Sequence, residues 1–125
     1  MKKTKVLLIE DNNYINEIFK KELDKVDCTM LYADTGKKAL ESIKENKPEI
    51  VLLDLILPDM HGLEILKVIK KTSPKTKVMI ISNISSEAVI KEAMELGTKD
   101  YFIKSNIDFF KIIEMLNSYI EEIKK

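Results

Sequence analysis

IVLLDLILPD, residues 50–59, sets the aspartate Asp54 in the middle of an aliphatic run. A carboxylate left unpaired in apolar surroundings costs several kcal/mol. Asp54 therefore needs partners, or a strand that delivers it to a polar place. A near-continuous apolar run is the pattern of a strand covered on both faces, as in a parallel sheet. The strand is read over IVLLDL (50–55), and four more runs extend the pattern outward: KVLLIE (5–10), TMLYA (29–33), KVMIIS (77–82) and DYFIK (100–104).

Between and after these runs the apolar residues change to helical spacing. Ile15, Ile18, Phe19, Leu23 and Val26 make one stripe; Ala39, Leu40 and Ile43 a second; Leu63, Leu66 and Ile69 a third. Ile90, Ala93 and Met94 mark a fourth, and Phe109, Ile112, Ile113, Leu116, Ile120 and Ile123 a fifth. Gly36 and Gly62 lie near helix starts, Pro48 and Pro74 follow helix ends, Ser85 or Ser86 is a candidate N-cap and Gly97 a C-cap. Strict alternation predicts an α/β fold, (βα)5, with a doubly wound five-stranded parallel sheet in the flavodoxin-like order 2-1-3-4-5. In that order the ligand crevice opens at the carboxyl ends of strands 1 and 3.

The chain of 125 residues is the size of one domain, 1–125, with 45% hydrophobic and 34% charged residues, an ordinary globular composition. MKKTKVLLIED has a basic prefix but too few apolar residues before Glu10 and Asp11 for a signal peptide or membrane helix, so no membrane role and a cytoplasmic location are expected. Cys28 is the only cysteine, which excludes an internal disulfide and reads as a small hydrophobe beside a strand. Lysines and acids balance at 21 each, and arginine is absent, which argues against nucleic-acid binding.

Polar residues gather where the crevice should be. Strand 1 ends in Glu10 and runs into Asp11, the third run carries Asp54, strand 4 ends in Ser82 and strand 5 in Lys104. Neighbouring strands lie about 4.8 Å apart, so the three acids share one edge, and Lys104 is roughly 9.6 Å away, a gap its long stem can largely close. Three carboxylates that close need a compensating cation, and Mg2+ favours oxygen ligands with open positions. An aspartate in such a site can take a phosphoryl group, with Ser82 and Lys104 serving its oxygens. On this reading Asp54 emerges into a polar, metal-filled pocket and is not truly buried.

IEDN (9–12), LLDLILPDMHGLEIL (52–66), IISN (80–83) and YFIK (101–104) resemble the receiver domain of two-component response regulators, of the single-domain chemotaxis-regulator type, over essentially the whole chain. The resemblance implies that Glu10 and Asp11 are the acidic metal pair and Asp54 the phosphoacceptor, with the backbone carbonyl of Ile56 completing the protein's share of the Mg2+ shell. It further implies that Ser82 is the switch hydroxyl, Lys104 the phosphate-pairing lysine and Tyr101 the aromatic that moves on activation. Phosphate would come from the histidine of a sensor histidine kinase or histidine phosphotransfer protein, and an unknown downstream protein would read the helix 4, strand 5 and helix 5 surface. Ile56 and Ile84 match positions that in the family flank the route of attacking water, and both being apolar implies slow self-dephosphorylation. Two departures stand out. Ser105 replaces the proline that usually follows the lysine in a cis peptide, so a trans peptide or visible strain is expected. Asn83 replaces a small residue, which would narrow access to Asp54.

Duller readings compete at each position. Glu10 and Asp11 alone would merely favour a helix start, Ser82 alone would be a helix-entry serine and Lys104 a solvated strand end. His61 reads as a solvated loop residue, and Asp59 as part of the turn into helix 3 rather than of the site. Among whole functions, a phosphorylation-independent pseudo-receiver is the near rival. An Asp-nucleophile phosphohydrolase lacks a second acid two residues after Asp54, where Ile56 stands. A flavin or nucleotide carrier on the same fold would want a glycine-rich loop where the chain has EDNNY. The expectation is a signalling switch rather than a turnover enzyme, free-standing rather than cut from a longer regulator.

Overall fold

Five strands form one parallel sheet in the order β2-β1-β3-β4-β5. The computed structural model describes residues 3–125, so the first two residues of the basic prefix lie outside the described residues. The strands are β1 (Lys5–Ile9), β2 (Thr29–Ala33), β3 (Ile50–Leu53), β4 (Lys77–Ser82) and β5 (Asp100–Ile103). The helices are α1 (Asn13–Leu23), α2 (Gly36–Asn46), α3 (Gly62–Thr72), α4 (Glu87–Glu95) and α5 (Phe109–Lys124).

The continuous apolar runs follow from burial on both sides. Alternate residues of a strand point to opposite faces, and here both faces are covered. Leu7, Ile9, Val51, Leu53 and Ile80 pack with α2, α3 and α4 residues such as Ala39, Leu66 and Ala93. Val6, Leu8, Ile50, Leu52, Met79 and Ile81 pack with Phe19 and Leu23 of α1 and Ile112, Leu116 and Ile120 of α5. Phe19 meets Phe109 edge to face, centroids 5.0 Å apart, which ties α1 to the start of α5.

Register sets the site. Ile9 pairs with Leu53, and Leu53 with Ile80, so the chain leaves β1 and β3 at one level. The Asp54 N–H donates to the Ile9 carbonyl at 3.0 Å, which places the residues after these strands side by side.

Several boundaries differ from the sequence expectation. β3 stops at Leu53 because the Asp54 carboxylate accepts from the Ile56 N–H at 3.2 Å, a side-chain turn that bends the chain off the ladder. Glu10 likewise lies just past β1, and Lys104 opens a 3-10 turn, Lys104–Asn106, instead of ending β5. The first helix ends at Leu23, and Val26 is buried in the turn that follows, where its N–H donates to the Leu23 carbonyl. Met94 faces outward although its spacing suggested the core. Ser86 holds the N-cap position of α4 without a side-chain capping bond, and Gly97 follows the Leu96 cap at φ 92°.

Candidate functional site

Glu10, Asp11, Asp54 and Lys104 converge at the carboxyl end of the sheet. One carboxylate oxygen from each of the three acids lies within 4.8 Å of the others. Lys104 reaches across from beyond β5, its Nζ standing 2.9 Å from Asp54 Oδ2 and 2.6 Å from Glu10 Oε1. Asp54 is only 4% exposed and Glu10 only 2%, whereas Asp11 is open to solvent. The expectation that Asp54 escapes burial is therefore corrected: it is buried, and the charge is met by the Lys104 ammonium and the Ile56 N–H. No buried side-chain nitrogen or oxygen among the described residues lacks a partner.

Local bonds hold the acids in place. The Asn12 N–H donates to Glu10 Oε2 at 3.0 Å, and the Asn16 side-chain amide donates to the Glu10 carbonyl at 2.8 Å, so α1's first turn orients the acid. Burial pushes the Glu10 carboxyl above its ordinary range, against the opposing pull of Lys104 and the Asn12 N–H. Burial works to lower the Lys104 ammonium, but its bonds to Glu10 and Asp54 outweigh that and leave it above the usual lysine value. The lysine is therefore a fixed positive charge at neutral pH.

Ser82 and Tyr101 each bond to the backbone of Ile84. The Ser82 hydroxyl is fully buried and accepts from the Ile84 N–H at 3.2 Å. The Tyr101 hydroxyl donates to the Ile84 carbonyl at 2.6 Å, and burial raises its phenol. Ile84 thus touches both on its two backbone groups. Ile56, beside Asp54, is 56% exposed and forms an isolated antiparallel bridge with His61.

Two surrounding residues play parts that sequence reasoning missed. Asp59 does not serve the start of α3: its carboxylate accepts from the Gly36 N–H at 2.7 Å and the Lys37 N–H at 2.9 Å, capping α2. Those two bonds hold the Asp59 carboxyl below its ordinary range. His61 is exposed as expected, yet it is the N-cap of α3, its Nδ1 accepting from the Leu63 N–H. Asn83 has an exposed side chain whose Oδ1 accepts from the Ser105 N–H at 2.9 Å. The Lys104–Ser105 peptide is trans, since no cis peptide occurs among the described residues.

The donor set suits a hard divalent cation. All its members are oxygens, carboxylates cluster with one open to water, and an all-protein cage is absent from the arrangement of Glu10, Asp11 and Asp54. Among the described residues, no helix is long and apolar enough to cross a membrane.

Comparison with known proteins gives the family and the fold. A family model described as the response regulator receiver domain matches residues 6–117. The chemotaxis protein CheY of Thermotoga maritima is 31% identical over 114 residues, covering 90% of this chain and 94% of that protein. The regulatory protein LuxO of Vibrio cholerae is 33% identical over 97 residues, which is 78% of this chain and 21% of LuxO. The receiver domain of a Francisella response regulator superposes with a TM-score of 0.86 at 26% identity, covering 96% of this chain and 98% of that one.

Proposed function

Because the chain belongs to the response regulator receiver family of two-component signal transduction, we propose that it is a phosphoacceptor switch with Asp54 as the modified residue. The observation that carries this reading is Lys104 bonded to a buried aspartate at the meeting point of three acids. The phosphoryl donor is a histidine on a sensor kinase or phosphotransfer protein, and the site of action is the cytoplasm.

An Asp54 carboxylate oxygen attacks phosphorus while the phosphorus–nitrogen bond of the donor breaks, and the imidazole leaves with that electron pair and takes up a proton. Lys104 exchanges its bond to Asp54 Oδ2 for a phosphoryl oxygen, keeping its charge on the group that has become negative. Mg2+ held by the carboxylates of Glu10, Asp11 and Asp54 and the carbonyl of Ile56 would supply neutralisation of phosphoryl charge.

Ser82 accepts from the Ile84 N–H, which leaves its own hydroxyl proton to donate to a phosphoryl oxygen. Its turn toward Asp54 shifts Ile84, and the Ile84 carbonyl is the acceptor of the Tyr101 hydroxyl. The signal therefore passes from Asp54 to Tyr101 through one residue's backbone. A downstream protein then reads the surface of α4, β5 and α5, whose equilibrium moves only by as much as the phosphoryl group favours one state.

Incubation with acetyl phosphate and Mg2+, followed by hydroxylamine treatment, tests the chemistry. The expected product is a phosphorylated chain whose phosphate is released by hydroxylamine, as an acyl phosphate is. A hydroxylamine-resistant product, or none, contradicts it.

A further inference from the structure

The two departures from the family pattern, Asn83 and Ser105, touch each other. Asn83 Oδ1 accepts from the Ser105 N–H at 2.9 Å across 22 residues of chain. Asn83 directly follows Ser82, and Ser105 directly follows Lys104, so the bond joins the backbones beside the two groups that flank Asp54. The last rung of the β4–β5 ladder pairs Ser82 with Ile103. The Asn83 side chain adds a link beyond that rung, and it satisfies an N–H within the 3-10 turn Lys104–Asn106.

We propose that Asn83 is a positioning residue for phosphoryl transfer, holding through the Ser105 N–H the backbone from which Lys104 extends. The proposal rests on the reading of Asp54 as phosphoacceptor and adds a residue to that site. Lys104 has a long flexible stem and must keep its ammonium on two acids that lie just past β1 and β3. Its reach is only as well defined as its point of attachment. Serine at position 105 supplies an N–H that proline would lack, and asparagine at 83 supplies the acceptor at the right length. Both residues are exposed, so the fold does not need the bond to bury a core. Its consequence falls on the two neighbours, which face inward.

Asn83→Ala removes the acceptor, and Asn83→Asp keeps it. With acetyl phosphate and Mg2+, Asn83→Ala is expected to lower the saturating phosphorylation rate constant about two- to tenfold, the range of one ordinary hydrogen bond, with the half-saturating donor concentration unchanged. Nitrogen-15 relaxation of the unphosphorylated variant should show Lys104 Nζ more mobile than in the parent chain. Asn83→Asp should restore both the rate constant and the Nζ order, with melting curves of both variants recorded to show them folded. A parental rate constant and Nζ order in Asn83→Ala, or losses that Asn83→Asp fails to restore, overturn the proposal. If the parent chain itself takes no phosphoryl group, the reading of function fails instead, and Nζ relaxation still decides whether Asn83 positions Lys104.

Discussion

At Lys104 one ammonium answers two buried carboxylates, and each of the three groups depends on the others. Removing it leaves Glu10 and Asp54 facing each other with no cation between them. Breaking a buried pair from one side costs about 3 kcal/mol or more. Lys104→Met is therefore expected to lose roughly that much stability in EDTA, and to recover much of it when Mg2+ is added, because a ligand that binds only the folded state stabilises it. Urea unfolding with and without Mg2+ measures both; equal loss in the two buffers would speak against a shared cation site. Ile56 and Ile84 supply a second expectation at this scale. Neither side chain can orient water, so the phosphorylated chain should hydrolyse slowly, and Ile56→Gln should speed the loss several-fold. A phosphate lifetime of seconds that the substitution leaves unchanged would contradict it. The residues of the site were legible as polar interruptions at the ends of apolar runs, but the burial of Asp54 was not. Spacing put Lys104 within reach of Asp54, but it cannot show how completely the carboxylate is then covered.

Among the elements, the loop between β3 and α3 does more than connect them. Asp59 caps α2 from 22 and 23 residues away in the chain, and Met60 packs over Gly36 at the helix start. No local pattern announces a cap whose helix lies elsewhere, which is why the proline-aspartate pair read as an ordinary turn. The Asp59 carboxyl lies below its ordinary 3.8, so the folded chain binds its proton less readily than the unfolded chain does. Stability from this group is fully present above the unfolded value and is lost as pH falls through the lower folded value. Asp59→Asn should thus lower the melting temperature by a few degrees at neutral pH, with the gap to the parent closing in acid; a gap that stays constant with pH would refute the assignment. Gly62 has a different reason to be small. A Cβ there would stand 2.6 Å from both the Asp54 carbonyl and the Leu55 Cα, backbone atoms that cannot step aside. Gly62→Ala is expected to cost about 1–3 kcal/mol and to slow phosphorylation by displacing Asp54. Calorimetry beside a phosphorylation assay checks it, and an unaffected variant would mean that α3 does not press on the site.

For the molecule as a whole, period and alternation carried most of the information. Five apolar runs separated by helical stripes leave one common arrangement, and the sheet has the order they imply. The ends of elements were less accessible, because side-chain turns at Asp54 and Ser82, rather than hydropathy, decide where the chain leaves the sheet. Both core layers and the crossovers then serve a single end of the sheet, bringing Glu10, Asp11, Asp54 and Lys104 together from three strand ends, with Ser82 closing β4. Borohydride reduction after treatment with acetyl phosphate and Mg2+ tests this convergence most directly, since an acyl phosphate on aspartate is reduced to homoserine and tandem mass spectrometry locates it. Homoserine is expected at position 54 alone, and none when Mg2+ is removed with EDTA. Homoserine at another position, or none with Mg2+ present, would contradict it.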